Sequence, residues 1–140
     1  MPSYFYTQPF EALNNFSAHA VEFEGALYPT SEHAYQAVKY SDTTGKDEIR
    51  KAKSPVLAKH VANVKFRHVR RNDWDEVKLD VMEKILRAKL DQHEEVREVL
   101  LKTGGDLIAE DSPIDDFWGL GKNKDGENLG RLWMKIRDTM

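Results

Sequence analysis

The chain has 140 residues, 40% hydrophobic and 32% charged, with a formal net charge of −3 and no cysteine. That length and apolar share suit one folded domain over residues 1–140 and exclude a disordered tail. No run of about 18 apolar residues could span a membrane, the first residues lack a secretory pattern, and the missing thiols exclude disulfides, iron–sulfur clusters and thiolate zinc sites. A cytoplasmic protein is expected.

In chain order, Tyr4-Phe5-Tyr6 and Val21-Glu22-Phe23 read as short strands, and Glu24-Gly25 turns the second into Ala26-Leu27-Tyr28 as a hairpin. Thr30 follows Pro29 and supplies a hydroxyl to cap a helix over Ser31–Tyr40. Gly45 and Pro55 punctuate two further helices, predicted over Lys46–Lys53 and Pro55–Asn63. Trp74, Val77, Val81, Ile85 and Ala88 recur at three- and four-residue spacing, which predicts an amphipathic helix from about Asn72 to Leu90. Another helix covers Glu94–Lys102 and stops at Gly104-Gly105; Leu107-Ile108-Ala109 is a short buried strand or extended segment. The last helix starts at Asn128 as N-cap, with Leu129, Leu132, Trp133 and Ile136 on one face. The fold class is α+β, mostly α-helical, with a small sheet.

Charge is segregated. Arg50 to Arg71 carries eight Lys/Arg and no acid, so the remaining 13 basic residues face all 24 acids. Such a run suits a phosphate-bearing ligand or a nucleic acid; it equally suits a helical surface paired with acids elsewhere.

Three segments are richer than packing requires. In Pro29–Lys39, helical spacing puts Glu32, Gln36 and Lys39 in one row, an acid, an amide and an amine able to hold a polar ligand and move a proton. The structural alternative places Glu32 at the helix dipole with Gln36 and Lys39 facing solvent. In Glu110–Gly121, close carboxylates adjoin Phe117-Trp118-Gly119, where an indole offers a base a face to stack on; core packing with Asp115 or Asp116 as caps is the alternative. The Gly/Lys loop Gly121–Gly130 opens onto a helix and suits an anion or a plain surface turn. His19, His33, His60, His68 and His93 are scattered, so neither a metal nor a cofactor is expected.

Taken together, Asn15-Phe16-Ser17, Thr30 through Lys39, Asn72-Asp73-Trp74, Asp115 through Gly121 and Asn128 through Met134 resemble, in that order, the NADAR superfamily, also called the YbiA-like family. The likeness runs from Phe5 to Arg137. It implies a compact, mostly helical α+β domain that hydrolyses N-glycosidic bonds of phosphorylated ribosides. Some members of the family cleave early riboflavin-pathway aminopyrimidine ribosylamine 5-phosphates. Others remove ADP-ribose from guanine in nucleosides or DNA, and a third possibility is a module that binds such ligands without cleaving them.

The resemblance assigns catalysis to Glu32, Lys39 and Asp115, and substrate contacts to Asn15, Trp118, Gly119 and Asn128. Arg71 joins them as a candidate for the 5-phosphate, because a fork of donors suits that group. Lys39 either binds phosphate or attacks an opened sugar C1 as an imine-forming amine. The expected partner is a small phosphorylated riboside or ADP-ribosyl compound, with ADP-ribosylated DNA as the other possibility, held by the basic run. Two departures stand out: Ala18-His19 follows Asn-Phe-Ser where the family usually has proline, and Trp133 stands where a small apolar residue is common.

Overall fold

The computed structural model describes residues 3–4, 10–66, 70–105, 108–109 and 128–140. Its contacts fall into two units, Ala18–Gln92 and Met1–Ser17 with His93–Met140.

The Ala18–Gln92 unit opens on the hairpin of β2 (Val21–Phe23) and β3 (Ala26–Tyr28), which pair antiparallel with Glu22 opposite Leu27. Glu24 and Gly25 both sit at positive φ, 49° and 84°, the backbone that a tight two-residue turn between twisted strands demands. Helix α1 (Ser31–Val38) follows, then α2 (Thr43–Arg50), α3 (Pro55–His60), a π-helical stretch Val61–Lys65, and the long α4 (Trp74–Gln92). The Gln92 side chain ties the hairpin to the end of α4: it accepts from Glu22 N–H at 2.8 Å and donates to Glu22 C=O at 2.9 Å. The core gathers Val21, Ala34, Tyr35, Ile49, Ala58, Trp74, Met82, Ile85 and Leu86.

Several boundaries depart from the sequence expectation: α3 gives way at His60 to the π-helical stretch, and α4 runs from Trp74 to Gln92. Helix α2 begins three residues early because Asp42 caps it, accepting from Thr44 N–H at 3.2 Å. Gly45 is therefore inside the helix rather than before it, and a Cβ there would meet the Phe66 ring at 3.6 Å. Helix α1 ends at Val38, and Lys39 is its C-cap.

In the second unit, β1 (Ser3–Tyr4) pairs parallel with β4 (Ile108–Ala109), beside a 3₁₀ turn Glu11–Leu13, α5 (Glu94–Lys102) and α6 (Asn128–Asp138). Asn128 is the first residue of α6 rather than its cap. Leu129, Trp133 and Ile136 are buried, Leu132 only half so. Trp133 is fully enclosed, and its indole N–H donates to Leu13 C=O at 2.9 Å, which gives this large ring a place in the core. Gly104 ends α5 at φ 57°, as the Gly-Gly signal predicted. Among the described residues no helix is long and apolar enough to cross a membrane.

Candidate active site

The site is built on α1. Thr30, in extended backbone, caps the helix by accepting from His33 N–H at 3.1 Å. The same hydroxyl lies 2.8 Å from His33 Nδ1, and His33 Nε2 lies 2.9 Å from Ala52 C=O. A carbonyl only accepts, so Nε2 carries the proton and Nδ1 accepts from Thr30. Burial lowers the His33 pKa, opposed by the Ala52 contact, so the ring is neutral and fixes where α1 starts.

All eight residues of α1 are buried. The solvent-facing alternative for Gln36 and Lys39 therefore fails: Glu32 is 7% exposed, Gln36 2% and Lys39 8%. Gln36 Nε2 donates to Glu32 Oε2 at 3.2 Å. Gln36 Oε1 and Ser31 Oγ are buried without a hydrogen-bond partner among the described residues, which suits groups awaiting a polar ligand.

Lys39 completes the row. Its Nζ donates to Asn63 Oδ1 at 3.2 Å and lies 5.4 Å from the Tyr35 ring centre and 5.9 Å from that of Trp74. Those two rings pack against each other at 5.1 Å. Burial pushes the ammonium down to about 8; the Glu32 carboxylate opposes this, while Arg70, Lys59 and Lys78 add to it. A lysine so placed exchanges its proton near neutral pH, as an acid–base group or a nucleophilic amine must.

The neighbouring cations divide. Arg71 N–H donates to Lys39 C=O at 2.7 Å, but its guanidinium is gripped by Asp73 through two bonds, 2.6 Å from Nε and 2.9 Å from Nη2. That fork holds the Arg71 pKa up and the Asp73 carboxyl down. Arg70 instead lines a cavity of about 410 Å³ with Tyr40, Ala62 and Asn63. Elsewhere in the basic run, Arg50 meets Asp47 and Lys65 meets Glu48, so part of that charge is answered by local acids.

Asn15 is buried in the other unit, beside Asn14, whose side chain accepts from Phe16 N–H at 2.8 Å; Asn128 is half-buried at the start of α6. Asp115, Trp118 and Gly119 lie outside the described residues. Sequence reasoning missed Asn63 and Arg70 as neighbours of the row. Asn63 reaches Lys39 from 24 residues away through the π-helical stretch, a contact no local pattern signals. No group of three or more metal-ligating side chains occurs among the described residues.

The fold is that of a mostly helical α+β protein, with an acid, an amide and an amine buried in one row on α1. The sequence profile of the NADAR domain matches residues 3–140, and the chain belongs to that family. It is 40% identical over 146 residues to an N-glycosidase of Nostoc punctiforme, covering 100% of this chain and 93% of that protein. It is 39% identical over 129 residues to the N-glycosidase YbiA of Escherichia coli, covering 91% and 80%. The solved structure of E. coli YbiA superposes with a TM-score of 0.86 at 36% identity, covering 99% of this chain and 83% of that one. The riboflavin biosynthesis protein PYRR of Zea mays, named as chloroplastic, is 36% identical over 146 residues, 94% of this chain but 23% of the maize protein.

Proposed function

We propose that this N-glycosyl hydrolase acts on a small phosphorylated riboside, an aminopyrimidine ribosylamine 5-phosphate of early riboflavin synthesis, and releases the base and ribose 5-phosphate. The observation that carries the reading is the buried row of Glu32, Gln36 and Lys39, with its free amide oxygen and near-neutral lysine. The relatives named N-glycosidase and riboflavin biosynthesis protein support the reaction and the substrate class.

Cleavage of an N-glycosidic bond develops positive charge at the sugar C1 and needs a proton on the departing nitrogen. Glu32 supplies that proton and afterwards activates water, and Gln36 fixes its carboxylate. A ribosylamine opens its ring to an iminium, so the neutral amine of Lys39 attacks C1 and the base leaves as its free amine. The resulting lysine imine takes up water, restoring Lys39 and releasing ribose 5-phosphate. The family likeness assigns base stacking to Trp118, the second carboxylate to Asp115 and further substrate contacts to Gly119, Asn15 and Asn128.

The test offers purified protein the aminopyrimidine ribosylamine 5-phosphate and ADP-ribosylated guanosine in parallel, with chromatography of the released base. Release from the first alone is expected. Release from the second alone would turn the protein into an ADP-ribosyl hydrolase, and binding without release from either would make it a reader.

A further inference from the structure

We propose that the cavity bounded by Tyr40, Ala62, Asn63 and Arg70 receives the phosphoryl group of the substrate, with Arg70 as its charged clamp. The proposal rests on the reading of the substrate as a phosphorylated riboside and adds where that phosphate is held. Arg71, the neighbouring residue in the chain, is the obvious rival.

Four observations support Arg70. First, the cavity shares a wall with the row: Asn63 lines it and also accepts from Lys39 Nζ at 3.2 Å, so a ligand in the cavity lies beside the amine. Its volume of about 410 Å³ is on the scale of ligand sites. Second, its walls are fixed. Tyr40 follows Lys39 directly, and its hydroxyl donates to Ala62 C=O, so the π-helical stretch carrying Ala62 and Asn63 is tied to the end of α1. Third, the two arginines differ in availability. Asp73 occupies the Arg71 fork with two short bonds, whereas Arg70 Nη2 meets Asp75 at only 3.8 Å, and that Asp75 side chain is 71% exposed. A loosely paired guanidinium at a cavity wall exchanges a solvated carboxylate for a phosphate dianion at little cost, and its fork suits phosphate oxygens. Fourth, Lys59 and Lys78 act on Lys39 through space together with Arg70, so positive charge converges on this end of the row. An incoming dianion relieves that repulsion.

Calorimetry with ribose 5-phosphate, ADP-ribose and unphosphorylated ribose tests this without turnover. The whole protein is expected to prefer the phosphorylated sugars. Arg70→Gln removes that preference and raises KM for the riboside 5-phosphate about ten- to a hundredfold, the loss of one charged hydrogen-bond partner. Arg70 is exposed, so the variant folds, and Arg70→Lys recovers part of the preference. Lys84→Gln, on α4 beside Asp80, is the charge control and changes neither quantity. The stronger of the two phosphorylated ligands identifies whether a sugar monophosphate or a pyrophosphate is the native source. An Arg70→Gln protein that keeps both its preference and its KM overturns the subsite even if base release continues. Arg70-dependent binding without base release from any riboside overturns the hydrolase reading and leaves the subsite standing.

Discussion

Gln36 commits one amide hydrogen to the Glu32 carboxylate at 3.2 Å while its own carbonyl oxygen stays buried and unmatched among the described residues. One turn of helix thus holds an acid in place and presents an acceptor to whatever enters. Gln36→Glu puts a second carboxylate against the first, and like charge raises the pKa of the pair. The acidic limb of the kcat/KM profile is expected to move up by about one pH unit, whereas an unchanged profile separates Gln36 from the chemistry.

Lys39 is held in its site at a cost in stability. Its ordinary value of 10.5 drops to about 8 in the fold, so the folded state releases this proton first. The penalty is complete below pH 8, where both states are charged, and fades between about 8 and 10.5, where only the unfolded state is. Lys39→Met is expected to abolish base release yet stabilise the protein by about 1–3 kcal/mol at pH 7. Denaturant melts at pH 7 and pH 10 check it: the gain shrinks at the higher pH, and a variant less stable at both contradicts the account.

His33 shows the same linkage in a lower pH window. Its folded value lies below the ordinary 6.5, so the stability it lends is intact above 6.5 and lost as pH falls through the folded-state value. Protonation also removes the lone pair that accepts from Thr30. Thermal melts between pH 4 and 7 should show an acid loss in the parent that is smaller in His33→Gln; equal slopes would mean that His33 is not its source. Thr30→Ala, by removing both cap bonds, is expected to cost about 1–2 kcal/mol at neutral pH.

In the other unit, Trp133→Phe keeps most of the buried ring but strands the Leu13 carbonyl. A loss of about 1–3 kcal/mol in chemical denaturation is expected, the cost of a buried acceptor left unsatisfied. A change within experimental error would mean that water replaces the indole.

Local chemistry was legible in the sequence, and long-range chemistry was not. Glu24-Gly25, the Thr30 cap and Gly104 announce themselves because each satisfies a backbone demand within a few residues. The Glu32–Gln36 bond follows from helical spacing alone. Gly45 misled because a glycine read as the break before a helix lies inside that helix, against Phe66. The contrast between Arg70 and Arg71 is invisible in one dimension: both are basic and adjacent, and only the fold shows which one an aspartate grips. The motif likeness supplied the family, and Asp115, Trp118 and Gly119 remain assigned by that likeness.

The most direct measurement is single-turnover release of base from the aminopyrimidine ribosylamine 5-phosphate by the parent, Glu32→Gln and Lys39→Met, with borohydride added and the protein weighed by mass spectrometry. The account predicts release by the parent alone, at least about a hundredfold faster than either variant, and a reduced ribose 5-phosphate adduct on Lys39. Full turnover by Glu32→Gln, or release by Lys39→Met at the parent's rate, would contradict it.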